Sequence, residues 1–232
     1  MKSDSKKSVI LVHGAFVDAS GWQKVIRLLE KAGFCVSAVQ LPLKSLADDV
    51  ATTKRLLDSQ QGDVVLVGHC YGGAVITEAG AENPKVKGLV YVAAIAPDKG
   101  ETINSLTERF APVSGKAAVM PDSAGFLFIN RKKFHLIFAN DLSAEAASLL
   151  SVTQKPIAAS IMDEPIQAVA WKNAPSWYVV STRDNIINPD LERFMAKRMG
   201  AETKEIKASH ASFISQPSQI AKTIGEAAAS IG

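Results

Sequence analysis

Short apolar runs and amphipathic stretches alternate along most of the chain. Residues 9–12, 34–39, 64–67, Val86–Ala94, Ser176–Ser181 and 203–206 are mainly β-branched and aliphatic, in lengths that suit buried strands. Between them the apolar positions recur at helical spacing: Trp22, Val25, Ile26 and Leu29 on one stretch, Leu46, Val50, Thr53, Leu56 and Leu57 on the next. Punctuation agrees with that division. Asp18 or Ser20 can cap the first helix, Gly33 closes it, Asn188 and Pro189 open a helix to Met199, and Pro217 starts a C-terminal one. Strands alternating with helices predict an α/β fold: a mostly parallel central sheet of about six strands with helices on both faces. The rhythm breaks between Pro97 and Asn173, where short helical or irregular pieces replace any convincing core strand. Five of the nine phenylalanines fall there (Phe110, Phe126, Phe128, Phe134 and Phe138). Residues 97–173 are therefore expected to be an inserted helical lid over an apolar pocket, with 1–96 and 174–232 forming the core.

Composition narrows the functional classes. At 232 residues, 47% hydrophobic and 21% charged with signs well mixed, the chain suits one globular domain with an insertion. A net charge of +3 is too small to argue for nucleic acid or an anionic membrane, and no apolar run is long enough to span one. The Lys- and Ser-rich start lacks the apolar core of a signal peptide. Two cysteines make no disulfide framework, and a cytoplasmic location is the expectation. Cys35, inside a strand pattern, reads as an inert core thiol. No glycine loop has the spacing that holds a dinucleotide or a nucleotide phosphate, so neither cofactor nor metal is called for.

The most informative stretch is 63–76, D-V-V-L-V-G-H-C-Y-G-G-A-V-I. An apolar strand runs into a glycine turn and then directly into a helix, the context of a nucleophile elbow with Cys70 at its crest. A Cβ at Gly68 or Gly72 would collide with the neighbouring backbone in so sharp a bend. Alone, Gly-x-Ser/Cys-x-Gly occurs by chance in about one chain in ten of this size. The bland alternative is a buried cysteine at an ordinary strand-to-helix turn.

A nucleophile needs a base, and the base needs a group to hold its tautomer. Of the four histidines, His13 and His69 sit beside glycines at strand ends and are expected to hydrogen-bond around the turns. His135 lies among apolar residues of the lid, a structural position. His210 follows the last strand, at the sheet edge where parallel sheets place their chemistry. Asp184 directly follows a strand end and is the candidate acid. Asp98 competes with it, and Asp190 suits the first turn of a helix. Two backbone N–H groups should meet an oxyanion: Tyr71 N–H from the elbow, and Ala15 N–H from the loop after 9–12, with Phe16 next.

These residues carry a resemblance. L-V-H-G-A at 11–15, Trp22, G-H-C-Y-G-G at 68–73, V-Y-V-A-A at 90–94, Asp184 and S-H-A-S-F at 209–213 resemble the α/β-hydrolases of the small-esterase branch, which includes plant methyl esterases, hydroxynitrile lyases and many bacterial esterases. The resemblance implies that Cys70 stands in the place of a nucleophilic serine, His210 in the base's, Asp184 in the acid's, and Ala15 and Tyr71 in the oxyanion hole. The lyases resemble this pattern but carry threonine where Gly14 stands and lysine where Ala211 stands, which favours acyl transfer here. Cysteine is the departure. A thiol at a helix N-terminus beside a histidine is nucleophilic, yet thiolate departs from a tetrahedral adduct more readily than alkoxide. The expectation is a carboxylic-ester hydrolase with a Cys-His-Asp triad, acting on small apolar or activated esters. The alternatives are a serine-type enzyme slowed by the exchange, or a non-catalytic small-molecule binder.

Overall fold

The computed structural model describes residues 7–231; the Lys- and Ser-rich start at 1–6 lies outside them. In chain order the elements are β1 (Ser8–Val12), α1 (Gln23–Lys31), β2 (Cys35–Val39), α2 (Leu46–Asp58), β3 (Val64–Cys70), α3 (Gly72–Ala79) and β4 (Val86–Ala94). Then come α4 (Ile103–Thr107), β5 (Val119–Pro121), β6 (Phe126–Ile129), α5 (Arg131–Phe138), α6 (Ala144–Thr153) and β7 (Ile157–Ala158). The chain finishes with β8 (Ser176–Ser181), α7 (Pro189–Met199), β9 (Glu202–Ile206), α8 (Ser212–Ser215) and α9 (Pro217–Ser230).

Six strands form one wholly parallel sheet in the order β2-β1-β3-β4-β8-β9. The inner strands β1, β3 and β8 are buried from end to end, and that is why they appear in the sequence as unbroken apolar runs rather than as alternation. The edge strands β2 and β9 are partly exposed. Cys35 opens β2 and is exposed, so it is not the core thiol that its strand pattern suggests. An edge strand has neighbours on one flank only, and its first residue lies beyond the helices that cover the centre. The helix boundaries follow their local chemistry. Ser45 accepts from Asp48 N–H to cap α2, and Asn188 accepts from Asp190 N–H to cap α7 with Pro189 in its first turn.

Between β4 and β8 the chain leaves the sheet. Helices α4, α5 and α6 are joined there by an antiparallel three-stranded sheet, β5-β6-β7. Strands of three, four and two residues are too short for a periodic signal, and so the sequence pattern shows only irregular pieces. Their turn is nonetheless written locally. The Asp122 carboxylate accepts from Ala124 N–H and Phe126 N–H, and Gly125 takes a positive φ of 80°. This segment is tied to the core by backbone bonds from Phe16 N–H to Lys155 O (3.0 Å) and from Ala158 N–H to Leu43 O (2.9 Å). Among the described residues, no helix is long and apolar enough to cross a membrane.

Candidate active site

Cys70 ends β3 at the middle of the sheet, with a positive φ of 53°. A non-glycine residue there is strained and persists only where its surroundings over-determine it. They do. A Cβ on Gly68 would lie 2.5 Å from Gly72 O, and one on Gly72 would lie 2.6 Å from both Val12 O and His13 O. A Cβ on Gly14 would lie 2.5 Å from Cys70 Cβ and 3.2 Å from its Sγ. Three glycines thus let β1, β3 and α3 converge on the bend. Cys70 is 6% exposed, and what it shows faces a cavity of about 450 Å³.

His210 follows β9 at the far edge of the sheet, yet it reaches the centre. Beyond Ile206 the chain folds over the end of β8, with Thr182 N–H donating to Ile206 O (2.9 Å) and Arg183 N–H to Ala208 O (3.0 Å). His210 Nδ1 then donates to Asp184 Oδ2 at 2.6 Å, both side chains fully buried. The other oxygen of Asp184 accepts Ile186 N–H at 2.6 Å and Ile187 N–H at 2.9 Å, which fixes the carboxylate in its own turn. Burial alone would lower the His210 pKa. The Asp184 carboxylate, and after it Cys70, more than offset that and hold the imidazole well above its usual range. Nε2 has no well-formed hydrogen bond, although Cys70 is close enough to influence the ring.

The other sequence candidates are engaged elsewhere. Asp98 pairs with Lys172 and Asp190 with Arg193, both near the surface. His135 Nε2 bonds Leu142 O at 3.0 Å. His69 Nε2 donates to the His210 carbonyl at 2.9 Å, so one turn histidine holds the loop of the other. Burial pushes His69 well below its normal range, with the neighbouring His210 acting in the same direction. Ala15 and Tyr71 both line the cavity beside Cys70. Phe16 N–H, by contrast, is already given to Lys155 O.

Three acidic residues near the site have no counterpart in the sequence reading. Asp49, buried in the first turn of α2, accepts Tyr71 O–H at 2.7 Å and Leu43 N–H at 2.8 Å, holding the residue next to Cys70. Glu192, buried on α7, accepts Ser181 N–H at 3.1 Å; burial and then Asp184 push its carboxyl well above the ordinary range, so it stays neutral. Asp141 bonds the loop that carries His210. Asp49 and Glu192 could have been found, because each sits on the apolar stripe of its helix beside Val50 or Leu191.

The cavity is chiefly apolar, but not through the expected phenylalanines. Only Phe110 of the five lines it, with Phe16, Ile186, Ile187 and Leu191 supplying much of the rest and Lys116 at its exposed side. Phe134 and Phe138 are instead buried beneath the segment. Among the described residues, no group of three or more His, Cys, Asp or Glu side chains is arranged to hold a metal ion.

A family model described as "Alpha/beta hydrolase family" matches residues 9–223. Esterase PIR7B of Oryza sativa subsp. japonica is 26% identical, with 95% of each chain covered. Salicylic acid-binding protein 2 of Nicotiana tabacum is 27% identical over 96% of this chain and 97% of that one. Among solved structures, a pyrethroid hydrolase from Sphingobium faniae JZ-2 shares the fold with a TM-score of 0.82 at 22% identity, covering 97% of this chain and 98% of its own.

Proposed function

The chain belongs to the alpha/beta hydrolase family, and from that premise we propose that it is a carboxylic-ester hydrolase working through Cys70, His210 and Asp184. The contact between His210 Nδ1 and Asp184 Oδ2, directed at the strained crest that carries Cys70, is the observation that supports this reading best. The esterase and hydrolase names among its relatives support the same class.

Cys70 Sγ attacks the ester carbonyl carbon, and the thiol proton resides on His210 Nε2. The carbonyl π electrons move to oxygen, and the backbone N–H groups of Ala15 and Tyr71 stabilise that oxyanion. As the tetrahedral adduct collapses, the C–O bond breaks and His210 returns the proton to the departing alcohol. Water then attacks the thioester, gives its proton to His210, and the C–S bond breaks to release the carboxylic acid. Asp184 keeps the ring in one tautomer throughout.

The thiol shapes the substrate class. In the first adduct, the Cys70 sulfur competes with the substrate's own leaving group, so the reaction proceeds forward when that group departs easily, as a phenol from an aryl ester, an enol from an enol ester or a thiol from a thiol ester. An apolar cavity of about 450 Å³ suits a small hydrophobic acyl or aryl group.

The test is intact-mass analysis after incubation with an aryl ester, together with turnover of the same ester by Cys70→Ser. An acyl adduct on Cys70 supports the thiol mechanism. No adduct and no turnover by either protein would replace it with the binding reading, and a large gain in the serine variant would identify a site built for oxygen.

A further inference from the structure

The corner between α5 and α6 touches both loops that carry the acid and the base. Asn140 Nδ2 donates to Arg183 O at 3.2 Å and Asn185 Nδ2 to Leu136 O at 3.2 Å, which brackets Asp184 on either side. Ala211 N–H donates to Phe138 O at 3.0 Å, and the Phe138 ring stands edge-on to the His210 imidazole with centroids 4.9 Å apart. The Asp141 carboxylate completes the set. Its Oδ2 accepts Ser209 N–H at 3.0 Å and Ser215 O–H at 2.8 Å, and its Oδ1 accepts Ser209 O–H at 2.5 Å. Ser209 Oγ in turn accepts Ala211 N–H at 3.1 Å. The residues immediately before and after His210 therefore both depend, directly or through one hydroxyl, on a single carboxylate.

We propose that Asp141 is a positioning residue for the acid–base pair, fixing the main chain on both sides of His210 so that Nδ1 meets Asp184 and Nε2 faces Cys70. The inference rests on reading His210 and Asp184 as that pair. His210 lies outside the strand ladder, so its place is set by the bonds of its loop, those to Asp141 among them, rather than by sheet register. Bonds to a carboxylate are shorter and stronger than those between neutral groups, and three of them converge here. Because Asp141 lies between α5 and α6, the geometry of the catalytic pair depends on the seating of the segment inserted between β4 and β8.

A purely structural role for Asp141 would lower stability and leave the chemistry of His210 unchanged. The groups facing that ring are Asp184 and Cys70, which raise its pKa, the neutral His69 at 4.7 Å, and the neutral Glu192 behind Asp184. If Asp141 holds the ring against Asp184, its removal lets burial prevail and the pKa of His210 falls.

The experiment is an NMR titration of the His210 ring in wild type, Asp141→Ala and Asp141→Asn, with kcat and KM on an aryl ester measured alongside. The alanine variant is expected to move the His210 midpoint down by about one pH unit or more. It should also lower kcat by about tenfold with little change in KM. Asparagine, which keeps one acceptor, should fall between. If the alanine variant does not fold, Ser209→Ala removes the two bonds of that hydroxyl, keeps the Ser209 N–H bond to Asp141, and should shift the midpoint in the same direction by less. An unchanged midpoint in folded variants overturns the positioning role whatever the ester assay shows. A shifted midpoint in a protein that forms no acyl-Cys70 overturns the hydrolytic reading and leaves the positioning role standing.

Discussion

His13, at the end of β1, offers a prediction whose size follows from its bonds. Nδ1–H donates to Gly14 O at 2.8 Å, and Nε2 accepts Leu41 N–H at 3.0 Å. A second ring proton would set Nε2–H against Leu41 N–H, donor facing donor, at a site with no solvent exposure. Burial accordingly lowers the His13 pKa from 6.5 to about 4, the Gly14 carbonyl opposing only part of the fall. Between those two values the unfolded chain binds a proton here and the folded chain does not. Stability is therefore complete above pH 6.5 and declines as the pH drops towards 4. A gap of about 2.5 pH units, at about 1.36 kcal/mol each, corresponds to about 3 kcal/mol. The assay is urea unfolding from pH 8 to pH 4 for wild type and His13→Gln, in which glutamine can offer Leu41 an acceptor without titrating. Wild type should lose about 3 kcal/mol more than the variant over that interval. His210 is present in both proteins and cancels in the difference, and His69, which His13 influences least among its causes, stays held down by its own burial in both. Equal pH slopes would refute the claim that His13 is held neutral.

Two further outcomes follow from the geometry around Cys70. Gly14→Ala places a Cβ 2.5 Å from Cys70 Cβ; it should cost about 1–3 kcal/mol in thermal unfolding and reduce aryl-ester turnover by about 100-fold, so wild-type kinetics would show that the bend is looser than described. Tyr71→Phe leaves the buried Asp49 carboxylate without its O–H donor, at a cost of about 1–3 kcal/mol at neutral pH. Burial already raises the Asp49 pKa and the Tyr71 bond lowers it, so the variant's penalty should be larger at pH 7 than at pH 4. A penalty of the same size at both values would contradict a charged Asp49 at that contact.

The sheet is legible because its inner strands are covered on both faces, so residues such as Val64 to Val67 repeat one chemical character without interruption. The elbow is legible because its glycines answer a steric demand that no other residue meets. Cys35 misleads for the opposite reason, since a strand pattern does not say which strand lies at the edge. The reach of His210 is hidden too. Nothing around Ser209 announces that the chain folds back over β8, and the partners that fix it, Phe138 and Asp141, lie some 70 residues away in a segment without strong periodicity. Lining the cavity depends on direction rather than composition. Phe134 and Phe138 are as apolar as Phe110, but they point beneath the inserted segment, whereas Ile186 and Ile187 reach the cavity from the turn that follows Asp184.

The crowding at the crest of β3 falls on Gly14, Gly68 and Gly72, while residue 70 itself lines the cavity. Architecture and reagent are consequently separable in this protein. A single-base substitution exchanges sulfur for oxygen at residue 70 with the Cβ left in place, whereas enlarging any of the three neighbours would force the main chain apart.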